Sequence, residues 1–196
     1  MKYFAVAWLA IGGLGALAAC NAGQPGQSGQ EPASSGELAI DDTDHDAGAT
    51  RVEDENELLS RGERLQANLD AILASSSQVT GSWFVGDVTA EFTMYYAGER
   101  ETYAEERVEL GDGGTAWRQY FFETGTLVFY VEEGERPSAS GGMDSVVVVL
   151  DFDPQGEVAA FYKAIGGQRA DLGESEEAQV RQSVERLRQG ARQAGP

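Results

Sequence analysis

Few residues of this 196-residue chain have side chains suited to nucleophilic or acid–base catalysis. The one cysteine is Cys20 and the one histidine is His45, and both precede the part of the chain with regular apolar patterns. Nucleophilic catalysis needs a serine, cysteine or lysine beside an activating base. Lys163 is the only lysine besides Lys2, and it has no serine at a recognisable spacing. We therefore predict that the protein is not an enzyme and uses no cofactor.

Cys20 follows a segment typical of an export signal. Lys2 supplies a basic start, and Tyr3–Ala19 contains neither a charged residue nor a proline. A segment of this length is at the lower limit for spanning a bilayer, and it ends in small residues as cleaved signals do. We predict that residues 1–19 are a signal peptide that is removed. The alternatives are an ordinary signal peptide without lipid attachment and an uncleaved membrane anchor.

The four residues that end at Cys20, Leu17-Ala18-Ala19-Cys20, resemble the lipobox of bacterial lipoproteins. The resemblance implies that Cys20 becomes the first residue of the mature chain and carries acyl chains, such as palmitate, on its sulfur and amine. Each buried methylene contributes about 0.8 kcal/mol, so two or more chains anchor a protein stably. Asn21, where an Asp would retain the protein at the inner membrane, implies the outer membrane facing the periplasm if the cell has two membranes. We expect a cell-envelope lipoprotein held by a lipid anchor.

Residues 20–50 have the composition of a flexible tether. Residues 24–36 consist almost entirely of Gly, Ser, Gln and Pro, with very little apolar surface to bury. About 30 residues of this kind behave as a coil with an end-to-end distance of about 30 Å. We predict that the tether lets a globular domain move above the lipid surface.

An acidic segment at the end of the tether has spacing similar to that of a calcium-binding loop. The residues at positions 1, 3, 5, 9 and 12 of such a loop would be Asp42, Asp44, Asp46, Thr50 and Glu53. The sixth position, which in these loops is a glycine, is Ala47, and no helix is predicted upstream. We therefore predict a solvated acidic hinge and no metal site, with Asp42, Asp44, Asp46 and Glu53 as weak candidate ligands.

Residues 51–196 are predicted to form a single α+β domain with an amphipathic helix at each end. The N-terminal helix covers Val52–Ala74, with Leu58, Leu65, Leu69 and Ile72 on one side. Gly62 should weaken it by about 1 kcal/mol relative to alanine. The C-terminal helix covers Ser175–Arg192 and carries a narrow apolar stripe, Val180, Val184, Leu187 and Ala191. If these helices cover one apolar face of a sheet, the domain has two layers.

Between the helices the apolar period changes to two, which predicts an antiparallel meander sheet of about six strands. The predicted strands are Ser82–Tyr96, Glu101–Leu110, Thr115–Glu123, Leu127–Glu133, Ser145–Asp153 and Gly156–Ala164. The first of these could be one long strand or a bent pair. In the first strand, the residues expected on one face are Phe84, Val88, Phe92, Met94 and Tyr96. In the second, Ala104, Val108 and Leu110 are expected to face inward. The outward alternation of Glu101, Glu105, Arg107 and Glu109 indicates that one face of the sheet is wet.

Two of the predicted turns share a pattern. The segments are Phe121-x-x-x-Gly125-x-Leu127 and Phe152-x-x-x-Gly156-x-Val158. They are similar to the hairpin units of MORN-like repeats and of many uncharacterised bacterial lipoproteins. The similarity covers two segments of seven residues and assigns no functional residue. A hairpin turn favours glycine and apolar flanking positions, which explains the pattern without common ancestry.

Aromatic residues supply a candidate binding patch. If the helices cover only one face of the sheet, the other could present Trp83, Tyr95, Trp117 and Tyr130. An exposed aromatic surface of this kind would suit a protein, glycan or lipid. The alternative is that both faces are covered, one by each helix.

The net charge of −19 limits the partners of the chain. Such a charge repels nucleic acid, so we predict no nucleic-acid partner. The leading hypothesis is a tethered envelope module that binds an envelope protein or a glycan. The alternatives are a calcium-responsive envelope protein that uses Asp42 to Glu53 and a hydrolase with two catalytic carboxylates.

Overall fold

The computed structural model describes residues 55–195, which contain three helices and one eight-stranded sheet. The helices are α1 (Glu55–Ala67), α2 (Leu69–Ser75) and α3 (Glu174–Ala194). The strands are β1 (Ser77–Val85), β2 (Val88–Ala97), β3 (Arg100–Glu109), β4 (Thr115–Glu123), β5 (Thr126–Pro137), β6 (Met143–Phe152), β7 (Val158–Ile165) and β8 (Gln168–Arg169).

The order of the strands in the sheet is their order in the chain, and each pair of neighbours is antiparallel. This confirms the predicted α+β meander with a helix at each end of the described chain. The prediction of about six strands was wrong, because Ser82–Tyr96, counted as one strand, belongs to the β1–β2 hairpin and β8 was not predicted. Gly86 adopts a φ of +64° in the loop between Val85 and Val88. A tight two-residue loop of this kind favours glycine, which has no Cβ to clash.

The hairpin changes the position of Phe84. It was predicted to lie on the same face as Phe92 and Met94, but it lies on the opposite face beside the β1–β2 turn and is 79% exposed. Phe92 and Met94 are buried, at 3% and 0% exposure. The turn at Gly86 breaks the alternation that a single continuous strand would have kept.

The helices lie on opposite faces of the sheet, so the domain has three layers. The predicted two-layer arrangement was wrong, and the alternative in which each helix packs on its own face is the one observed. On one face, here called the α3 face, Val180, Val184 and Leu187 pack on sheet residues that include Tyr120 and Leu150. The opposite side, here called the α1 face, has its own core. Leu58 of α1 and Leu69 of α2 pack there with Tyr103, Phe121 and Phe129. The strands can serve both cores because their side chains alternate between the two faces.

The N-terminal helical segment is divided in two and packs closely on the sheet. The single predicted helix is interrupted between Ala67 and Leu69. Gly62 is buried in α1, and a Cβ at this position would lie 3.2 Å from Cε1 of Phe129. The glycine that lowers helix propensity therefore lets α1 approach the aromatic core.

A similar close approach fixes α3 on β1 and β2. A Cβ added to Gly81 of β1 would lie 2.5 Å from Cζ of Phe92, and one added to Gly190 of α3 would lie 2.7 Å from the same atom. Real Cβ atoms do not pack at these distances. The ring of Phe92 occupies the space that the two missing side chains leave.

The two segments with a shared sequence pattern form neighbouring hairpin turns that are not equivalent. Phe121 belongs to the α1-face core and Phe152 to the α3-face core. Phe152 pairs with Val158 across its hairpin. In the other hairpin, the residue at the equivalent position is Phe122, which pairs with Leu127. The turn after Phe152 is one residue longer than the turn after Phe122. Equal spacing in the sequence therefore places Phe121 and Phe152 on opposite faces of the sheet.

Candidate functional site

Several predicted site residues lie outside the described residues. They are Cys20, Asp42, Asp44, Asp46 and Glu53. Within residues 55–195, no helix combines the length and apolar character needed to span a bilayer. Over that same range, no group of three or more Asp, Glu, His or Cys side chains is placed to hold a metal ion.

The four residues of the predicted aromatic patch do not lie together. Trp83 and Tyr130 belong to the α3 face, and Tyr130 is 2% exposed beneath α3. Tyr95 and Trp117 point to the α1 face, and both are half-buried. Tyr130 is therefore unavailable to a partner, because the alternation of β5 turns it toward the helix. Of the four, Trp117 lies on the part of the sheet that no described helix covers.

The α3 face contains a buried ionic network. Glu106 of β3, Arg118 of β4 and Glu132 of β5 are cross-strand neighbours in adjacent strands. Arg118 Nε donates to Glu132 Oε2 at 2.8 Å, and its Nη1 lies 3.8 Å from Glu106 Oε2. Arg136 Nη2 also donates to Glu132, at 2.8 Å. One buried guanidinium thus serves two buried carboxylates.

Aromatic donors complete the hydrogen bonds of the two carboxylates. Glu106, which is 0% exposed, accepts from the Tyr120 hydroxyl at 2.6 Å and from Trp83 Nε1 at 2.8 Å. Glu132 accepts from the Tyr130 hydroxyl at 2.7 Å. These contacts satisfy polar groups that would otherwise be costly to bury.

The two carboxyl groups differ in their pKa. Burial raises the pKa of Glu106, although the Tyr120 hydrogen bond and Arg118 oppose the change. Burial would also raise the pKa of Glu132, but Arg118, the Tyr130 hydrogen bond and Arg136 outweigh it and hold the pKa below its ordinary value. Arg118 therefore stabilises the charged form of Glu132 more than that of Glu106.

These two inward-facing acids are the arrangement that a carboxylate hydrolase would need, but they are enclosed. The cavity that adjoins Glu132 and Arg118 lies under α3 and has a volume of about 20 Å³. This is space for about one water molecule. The network is therefore enclosed between α3 and the sheet and leaves no room for a substrate.

The α1 face is open at the end of the sheet away from α1 and α2. A shallow depression of about 630 Å³ and a second of about 430 Å³ share Ser82, Glu91 and Arg107. We call this surface the open trough. Its side chains come from β1 to β5 and are Thr80, Ser82, Phe84, Thr89, Glu91, Thr93, Glu105, Arg107, Glu109, Thr115, Trp117 and Glu133.

The strand register places the central residues of the open trough side by side. Glu91 pairs with Arg107, Arg107 with Trp117, and Trp117 with Glu133. Neighbouring strands lie about 4.8 Å apart, so the five strands give the trough a width of about 19 Å. The result is one indole between a guanidinium and a carboxylate. The outward alternation predicted for Glu105, Arg107 and Glu109 is confirmed. The prediction was wrong for Glu101, which lies on the α3 side of the sheet and is bound by Arg188 of α3.

The charges of the trough are not paired with one another. Among the described residues, Arg107, Glu91, Glu105 and Glu133 make no ion pair or side-chain hydrogen bond, and Glu109 accepts only a 3.5 Å hydrogen bond from Thr89. The four carboxylates outnumber the single guanidinium. The trough is therefore an acidic surface with unused hydrogen-bonding capacity.

Trp117 and Glu133 are the least solvated part of this surface. The indole Nε1 of Trp117 is buried and has no hydrogen-bond partner among the described residues. Glu133 is half-buried, and burial raises its pKa. A carboxyl beside an indole, without a nearby cation, is a position where a bound polar or charged group would find a partner.

Comparison of the chain with protein-family models, curated proteins and solved structures gives no match.

Proposed function

We propose that the protein is a lipid-anchored cell-envelope lipoprotein whose folded domain is a non-enzymatic binding module. Cys20 of the lipobox-like sequence carries the lipid, and residues 20–50 tether the domain. The domain recognises its partner through the open trough. In a cell with two membranes the protein faces the periplasm from the outer membrane.

The observation that carries the binding proposal is the difference between the two faces of the sheet. α3 covers one face, whereas α1 and α2 leave the trough half of the other uncovered. This uncovered half presents Trp117 with unpaired Arg107 and Glu133. Tryptophan and arginine are enriched where proteins bind partners, because they combine a large contact area with polar contacts.

The proposed absence of catalysis is supported by the residue types of the domain. Residues 55–195 include neither histidine nor cysteine. The two inward-facing acids, Glu106 and Glu132, are bound to Arg118 and to tyrosine hydroxyls beneath α3. The trough has unpaired carboxylates, but it is broad and shallow, a form suited to binding an extended partner.

Site-specific photocrosslinking in growing cells tests the proposed binding surface. A photoreactive phenylalanine analogue placed at Thr115, within the trough, should give a crosslinked product with an envelope component. The same analogue at Glu63, an exposed position of α1, is the matched control. A product of equal yield at both positions, or at neither, contradicts the proposal. The crosslink at Thr115 should also weaken when Trp117→Ala is introduced.

The proposed anchor has a separate test. In Cys20→Ala the chain should no longer incorporate labelled palmitate and should leave the membrane fraction. Ser28→Ala, within the predicted tether, is the control and should change neither result. Retention of the palmitate label in Cys20→Ala would show that the lipid is attached elsewhere or that the segment is not a lipobox.

A further inference from the structure

The charges of the open trough limit the chemistry of its occupant. Four carboxylates, from Glu91, Glu105, Glu109 and Glu133, surround one guanidinium, from Arg107. An anionic ligand would be repelled by this balance and by the net charge of the whole chain. A neutral ligand would leave the excess of negative charge in the trough uncompensated. Charge complementarity favours a cationic occupant.

We propose that the trough binds a basic polypeptide segment of a partner protein, with a lysine or arginine side chain seated on Trp117 beside Glu133. This inference rests on the proposed function and names the chemistry of its ligand. A trough about 19 Å wide accepts about six extended residues, which span about 20 Å. The occupant is therefore a segment of several residues with more than one positive charge.

Trp117 and Glu133 are the pair that best accounts for this preference. They are cross-strand partners, so their side chains stand side by side on the same face. A cation on the indole face gains a cation–π interaction, which is strongest with tryptophan. The same cation meets the half-buried Glu133 carboxyl, which has no cation of its own among the residues from 55 to 195. Ionisation of Glu133 would then be favoured by the bound charge.

Arg107 has the opposite effect on the same surface. It lies on the other side of Trp117 and is exposed, with no ion pair to a described residue. Its charge reduces the attraction for a cationic segment but gives the trough a donor for acceptor groups of the partner backbone. Removing the charge should therefore strengthen binding of a simple cationic peptide, which sets this proposal apart from a glycan surface.

The test measures binding of fluorescein-labelled octapeptides to the full chain in non-ionic detergent. The peptides alternate glycine with lysine, serine or glutamate. The lysine peptide should bind, and Trp117→Ala and Glu133→Gln should each weaken it by about fivefold or more. Arg107→Gln should strengthen it by about twofold to threefold. The serine and glutamate peptides should bind at least tenfold more weakly than the lysine peptide.

Matched variants separate a specific site from general attraction to an acidic protein. Glu63→Gln and Arg100→Gln change the net charge by the same amounts at exposed positions outside the trough. If they alter the affinity as much as the trough variants do, the proposal is overturned.

A neutral oligosaccharide, chitotetraose, separates this inference from the proposed function. If chitotetraose binds in a Trp117-dependent manner and the lysine peptide does not, the trough is a binding surface but its ligand is not cationic. If the lysine peptide does not bind and photocrosslinking from Thr115 also gives no product, both proposals fail.

Discussion

Arg107 and Arg118 lie on neighbouring strands but face opposite sides of the sheet, and their surroundings differ completely. Arg118 lies on the α3 face with 13% of its side chain exposed, and Glu132 and Glu106 share its charge. Arg107 is exposed on the α1 face, beside Trp117 and an excess of unpaired carboxylates. The same residue type thus supports the fold on one face and remains free for contacts on the other.

The difference shows which charges of an acidic protein have structural roles. On the α3 face, both buried carboxylates have a cation within 4 Å and hydrogen-bond donors from aromatic side chains. In the open trough, no such pairing has formed, although Glu91 and Arg107 occupy adjacent strands. Folding therefore depends on the first group of charges and gains little from the second. We expect mutations in the two regions to separate stability from binding.

The largest expected effect follows from removing the buried cation. Arg118→Met should lower the free energy of unfolding by about 3–5 kcal/mol, because it leaves the buried Glu106 without a cation and Glu132 with only the more exposed Arg136. Arg107→Met is the matched control and should change stability by less than about 0.5 kcal/mol. Urea denaturation of the two variants checks the contrast. Equal losses would mean that the trough also contributes to folding.

A smaller effect is expected from filling the space around Phe92. Gly190→Ala would place a methyl group 2.7 Å from Cζ of that ring. Overpacking typically costs about 1–3 kcal/mol, and the better helix propensity of alanine would recover about 1 kcal/mol. Gly142→Ala is the control, since a Cβ there meets no atom within 4 Å. If Gly190→Ala proves more stable than the wild type in thermal denaturation, α3 is packed less tightly than described.

The smallest effect concerns pH and distinguishes the two carboxyls of the network. Burial raises the folded-state pKa of Glu106, so the folded protein binds more protons than the unfolded chain above the ordinary glutamate value. Stability from this residue therefore falls as pH rises through the window between the two values. The stability of Glu106→Gln should not show this decline. Its free energy of unfolding should therefore rise relative to that of the wild type as pH increases.

Glu132 has the opposite dependence because its folded-state pKa is lowered. Its contribution is present above the ordinary glutamate value and is lost as pH falls toward the lowered value. Glu132→Gln should therefore be most destabilising near neutral pH. Urea denaturation from about pH 2 to pH 8 covers both windows and checks both variants. Parallel profiles for the two would contradict the assigned directions.

Much of the fold could be predicted from the sequence because the alternation of side chains is regular. The meander, the two flanking helical segments and the buried stripe of α3 all follow from local periodicity. The number of strands did not follow, since Gly86 was not recognised as a tight turn within an apolar run. The three layers depend on which face each helix selects, and local periodicity does not contain that information.

The buried network had a signal that sequence analysis did not use. In β3, Glu106 stands between Ala104 and Val108, two positions expected to face inward. Arg118 and Glu132 occupy corresponding positions in the next two strands, with alternating charge. The signal could have suggested a buried ion network, but only after the register of the hairpins was known. The open trough needs the same register, because Glu91, Arg107, Trp117 and Glu133 become neighbours only through strand pairing.

The contact of α3 with the first part of the sheet also affects the order in which the chain folds. Each strand pairs with the one before it through a short connection, so the sheet can grow as the chain lengthens. By contrast, Arg188 of α3 binds Glu101 across a separation of 87 residues, and Gly190 packs on Phe92. Contacts between distant parts of a chain form more slowly because a longer loop must close. We expect docking of α3 to be the late step in folding, at which the charges of the α3 face lose their water together.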